Sequence, residues 1–80
     1  MFDIEDGQFC VIEDSQELAL FVGNMTGDYL FDLGVIEDSF GYFKIIRLSD
    51  IHRIDAREAR EFDRVAYELL MENKREYKDE

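Results

Sequence analysis

No lysine or arginine occurs in the first 43 residues of this 80-residue chain, which carry ten carboxylates. Phosphate backbones are held by Lys and Arg, so this half argues against direct binding to nucleic acid. No apolar run approaches the roughly 20 residues that cross a bilayer, and no membrane is expected as a partner. Cysteine occurs once, as Cys10, which excludes an internal disulfide framework and suggests a reducing, cytoplasmic compartment. Histidine also occurs once, as His52. One Cys and one His fall short of the ligand set of a structural zinc site, so no metal and no other cofactor is expected. The opening Met1-Phe2-Asp3-Ile4-Glu5-Asp6 lacks the basic and apolar regions of a secretory signal, and its acids do not suit a transit peptide.

What is present is enough apolar matter for one core. With 46% hydrophobic residues the chain is too apolar for intrinsic disorder, and its length predicts a single domain over 1–80. A domain this small buries only roughly 60 to 65% of its unfolded surface, so oligomerisation is a reasonable source of further burial. Twenty acids against nine bases give a net charge of −11, almost all of it in the first half. That half also holds eight of the eleven aromatic residues, so it is a folded acidic surface and not a solvated tail.

Between residues 8 and 54 the apolar positions come in short runs divided by turn residues, the pattern of a compact antiparallel sheet. Five strands are predicted: Gln8 to Glu13, Glu17 to Val22, Asp28 to Ile36, Gly41 to Leu48, and a short Ile51 to Ile54. In the second, Leu18, Leu20 and Val22 alternate with Ala19 and Phe21, so both faces are apolar. Gly23 to Gly27 reads as a turn, and Gly34 invites a bulge or bend. The rest reads as one helix over 56–78, uninterrupted by Gly or Pro, with Asp55 as N-cap and Glu58 at the third helical position. Ala59, Phe62, Val65, Ala66, Leu69 and Leu70 share its apolar face. The fold class expected is therefore α+β: a strongly bent antiparallel sheet or small barrel of four or five strands followed by one C-terminal helix.

The stretch from Leu20 to Ile54 resembles the later strands of SH3-like and Sm-like small barrels. It has a Gly-bounded turn, an aromatic-rich strand, Gly41-Tyr42-Phe43-Lys44-Ile45-Ile46-Arg47-Leu48, and then Ser49-Asp50 ahead of Ile51-His52-Arg53-Ile54. The resemblance implies a one-turn 3₁₀ connection at Ser49-Asp50 and, by analogy with Sm-like rings, self-association. The RNA binding of Sm-like proteins carries over less well, because their RNA-binding loops are basic and these are acidic. An N-terminal helix is the Sm arrangement, whereas here the helix is C-terminal.

The tract Val11-Ile12-Glu13-Asp14-Ser15 recurs as Val35-Ile36-Glu37-Asp38-Ser39, the same turn chemistry used twice. Neither copy has the alternating acids and central Gly of an EF-hand loop. Cys10 and His52 could form a nucleophile and base only if the fold brought them together, and no other catalytic motif stands out, so an enzyme is not expected. Two sets of surface residues remain. Glu13, Asp14, Asp28, Asp32, Glu37 and Asp38 could present an acidic face, while Arg57, Arg60 and Arg64 form a basic stripe on the helix beside the apolar Phe62 and Leu69. The reading that follows is a non-enzymatic, self-associating interaction module, most simply a homodimer. The alternative is an acidic nucleic-acid mimic of phage or mobile-element type that occupies a basic protein surface.

Overall fold

The computed structural model describes residues 7–24 and 32–78, with side chains to residue 74. Five antiparallel strands, β1 (Phe9–Ile12), β2 (Glu17–Asn24), β3 (Leu33–Glu37), β4 (Phe43–Arg47) and β5 (Ile51–Ile54), form a sheet in the order β4-β3-β2-β1-β5. Two helices follow, α1 (Ala56–Phe62) and α2 (Arg64–Lys78).

The sheet is strongly curled, and the chain path requires it. β4 and β5 are the two outer strands, joined only by the 3₁₀ turn Leu48–Asp50. In a flat sheet they would lie four strand spacings apart, about 19 Å. The four peptide steps from Arg47 to Ile51 reach at most about 14 Å. Curling is achieved along β2, whose first half pairs with β1 and whose second half pairs with β3, with a register shift between Phe21 and Gly23. The turn is tied at both ends: the Leu48 N–H donates to the Asp32 carbonyl at 2.7 Å, and the Glu13 N–H donates to the Asp50 carbonyl at 2.8 Å.

Curvature encloses one core and the helices cover another. On the concave face Cys10, Ile12, Ala19, Phe21, Ile36, Leu48 and Ile51 pack together with Ile46. On the opposite face Phe9, Val11, Leu18 and Leu20 lie under Ala59, Ala66 and Leu70. β1 and β2 are thus buried on both sides, which is why both faces of the Glu17–Val22 run are apolar. Tyr67 stacks on Phe9 with ring centroids 5.2 Å apart, and Lys74 donates to the Gly7 carbonyl at 3.0 Å, fastening α2 to the start of β1.

The single helix expected over 56–78 is two helices. Asp55 caps α1 as expected, its Oδ1 accepting from the Glu58 N–H at 2.8 Å. At Asp63 the backbone turns extended (φ −156°, ψ 95°), and its N–H closes α1 on the Ala59 carbonyl. Its Oδ1 accepts from the Ala66 N–H at 3.1 Å, starting α2. Asp ends one helix and caps the next because its short carboxylate competes for backbone N–H groups that a continuous helix would use. The break lets α1 pack on β1 while α2 packs on β2.

Strand limits also differ from expectation. β2 continues through Gly23 and Asn24, where a turn was expected, and β4 stops at Arg47 because Leu48 enters the 3₁₀ turn and the core. Of the third predicted strand, residues 28–31 lie outside the described residues. Gly34 is not a bulge. It sits opposite Asn24 and Ile46, and a Cβ there would lie 2.7 Å from Phe21 and 2.8 Å from Leu48, so only Gly allows this approach. Among the described residues no helix is long and apolar enough to cross a membrane.

Candidate interaction surface

The two copies of the Val-Ile-Glu-Asp-Ser tract end β1 and β3 but serve different ends. After β1, Glu13 and Asp14 are exposed in a four-residue loop closed by Gln16, whose backbone has φ +56° and whose side chain donates to the Glu13 carbonyl at 2.8 Å. Glu13 Oε2 lies 3.3 Å from His52 Nδ1, an exposed pair across β1 and β5. After β3, Glu37 and Asp38 are buried, only 5% and 6% exposed. Glu37 stands in the ladder opposite Leu20 and Phe43. Asp38 Oδ1 accepts from the Phe40 and Tyr42 N–H groups, each at 3.0 Å, and its Oδ2 is 3.5 Å from Lys44 Nζ. That carboxylate holds the β3–β4 turn together.

Asp32 is exposed, with its carbonyl committed to the 3₁₀ turn, and Asp28 lies outside the described residues. The acids singled out from the sequence are therefore not one face: Glu13, Asp14 and Asp32 are exposed, and Glu37 and Asp38 are internal. The basic stripe is divided as well. Arg57 and Arg60 are exposed on α1, whereas Arg64 opens α2 and its Nε is 3.3 Å from Glu68 Oε2. Phe62 and Leu69 are both partly exposed on the helical layer, near the exposed Val65.

Cys10 and His52 do not meet. Cys10 pairs with Arg53 in the ladder and points into the concave core, while His52 pairs with Val11 and shares the opposite face. Burial pushes the Cys10 thiol up to about 12, so at neutral pH it is an inert core group. Among the described residues no group of three or more His, Cys, Asp or Glu side chains could hold a metal ion.

The largest apolar exposure lies where sequence reasoning did not look. The register places Leu33, Val35 and Glu37 of β3 and Phe43, Ile45 and Arg47 of β4 on the face that the helices cover over β1 and β2. The helices stop short of this half. Phe43 is 54% exposed and Ile45 63%, and Phe40 and Tyr42 in the adjoining turn are more exposed still. Four large hydrophobic residues within six positions form a patch of the kind that marks an interaction site. The available signal was β4 itself, which is apolar on both faces although an outermost strand has less around it to cover both.

Comparison with protein-family models, curated proteins and solved structures yields no match to this chain.

Proposed function

We propose that this chain is a non-enzymatic interaction module that self-associates. One observation carries the reading: the sheet face that the helices seal over β1 and β2 leaves large apolar side chains exposed on β4, with Phe43 54% and Ile45 63% exposed. The Asp38 carboxylate, with the Lys44 ammonium beside it, ties together the turn that carries Phe40 and Tyr42, which lowers the ordering a partner must impose. The one-turn 3₁₀ link between the last two strands supports the resemblance to SH3-like and Sm-like small barrels, and with it the analogy to self-associating domains. A reducing, cytoplasmic setting suits the lone buried thiol. The nucleic-acid mimic draws less support, because Glu37 and Asp38 are buried and so not displayed to a basic groove.

Light scattering after gel filtration over a range of concentrations tests the proposal. The mass should exceed that of the 9.5 kDa chain and rise with concentration. A constant 9.5 kDa species at high concentration overturns it.

A further inference from the structure

We infer that copies of this chain join head to tail, the Phe40 tip of the turn between β3 and β4 on one copy seating in the groove between β5 and α1 of the next. The inference rests on the self-association proposed above and names its interface.

The tip is a fixed apolar projection. Phe40 is 78% exposed, the most of any large hydrophobic residue among those described, and Tyr42 beside it is also exposed. Asp38 holds both, its Oδ1 accepting from their backbone N–H groups, while the Gly41 N–H donates to the Asp38 carbonyl at 3.0 Å. A ring carried on so short and tied a turn has little backbone freedom left to lose on binding.

The groove lies between α1 and the helix-side face of β5. It encloses about 400 Å³, with Val11, Ile54 and Phe62 as its apolar lining and His52 beside them. A space of this size accepts an aromatic side chain. Phe62 is 43% exposed, so its ring is open to contact by an incoming one.

Charge selects the occupant. Glu58 and Glu61 line the groove against Arg53, and His52 is already matched to Glu13 at 3.3 Å, so the groove is acidic. It favours an apolar group accompanied by bases. From Ser39 to Arg47 the only charged residues are Lys44 and Arg47, both basic and both exposed. The exposed apolar residues of the helices, Val65 and Leu69, stand instead beside Glu68 and Glu72. The Phe40 turn is thus the part of this chain that suits the groove. Its own groove does not hold it, because a seated ring would not be 78% exposed. The seat therefore belongs to a second copy. Rim charges orient the two copies, and burial of the ring supplies the affinity.

Unlike surfaces meet in such a contact, so a copy that has lost one half is complemented by a copy that has lost the other. Phe40→Ser removes the tip, and Phe62→Ser removes a wall of the groove. Each alone should keep the native circular dichroism spectrum and raise the dissociation constant about tenfold or more in sedimentation equilibrium. Mixed equally, at a concentration where each alone is monomeric, the two should form a one-to-one dimer through the intact tip of one and the intact groove of the other. His52, the only histidine of the chain, reports the groove directly. Its ring proton resonances should shift as the wild-type concentration rises and should stay fixed in Phe40→Ser.

The outcomes separate the two claims. A monomeric wild type overturns self-association and this contact together. An associating wild type whose Phe40→Ser variant associates equally well leaves self-association standing and overturns the contact, as does a mixture of folded variants that stays monomeric. If Phe62→Ser loses the native spectrum, the His52 resonances decide: unmoved while the wild-type mass rises, they overturn the groove as the seat.

Discussion

Asp38 shows how one carboxylate organises its surroundings. It is buried, accepts from two backbone N–H groups in the turn it opens, and stands beside Lys44. Removing it strands those donors, so Asp38→Ala should cost about 2 to 3 kcal/mol in urea unfolding, while Asp38→Asn keeps an acceptor and should lose roughly half as much. Cys10 sets a second residue-scale expectation. Its thiol ionises near 9.0 when free and is pushed up to about 12 by burial. Because the folded value is the higher one, stability is unaffected below pH 9 and falls as pH rises from 9 toward 12, where only the unfolded chain ionises. The slope is at most about 1.4 kcal/mol per pH unit. Replacing Cys10 with Ala should remove that part of the alkaline loss, measured as the difference between the two unfolding curves across this range.

At the scale of the element, the helical segment turns on Asp63. Its periodicity places Ala59, Ala66 and Leu70 on one face whether or not the helix is continuous, so the apolar pattern could not reveal the break. Neither Gly nor Pro marks it, and the only signal was an Asp at a position that can cap. Asp63→Ala should cost about 1 kcal/mol through loss of the cap on Ala66, with Asp63→Asn retaining most of it. Helix content by circular dichroism should hardly change, because the packing of Ala59 against β1 and of Leu70 against β2 still sets the two directions. The same break divides the basic stripe, leaving Arg57 and Arg60 on one helix and Arg64 engaged with Glu68 on the other.

For the whole molecule the governing quantity is charge. Association doubles a net charge of −11 in one particle, so copies repel over distances comparable to the Debye length of about 10 Å at 0.1 M salt. An interface made by the exposed apolar side chains of β4 and its turn should therefore tighten as salt rises from about 0.05 to 0.5 M, because screening removes repulsion and leaves apolar burial intact. Docking of Arg57 and Arg60 on a neighbour's acids would show the opposite sign. Sedimentation equilibrium at the two salt concentrations distinguishes them by the direction of the shift alone.

The local sequence was sufficient for the presence and order of the five strands, the cap at Asp55 and the double-sided apolar character of the second strand. Each depends on residues a few positions apart: alternation at period two, turn residues between runs, and a carboxylate three residues from the N–H it accepts. Tertiary structure alone decided which part of the sheet is covered. Val11-Ile12-Glu13-Asp14-Ser15 and Val35-Ile36-Glu37-Asp38-Ser39 have the same residues, yet the first pair of acids is exposed and the second buried. The same holds for apolar groups: Leu20 and Ile45 sit on one face of one sheet, the first sealed under α2 and the second open. Burial is set by what the rest of the chain brings alongside: the turn after β3 closes on Asp38, and the helices lie over Leu20 but not over Ile45.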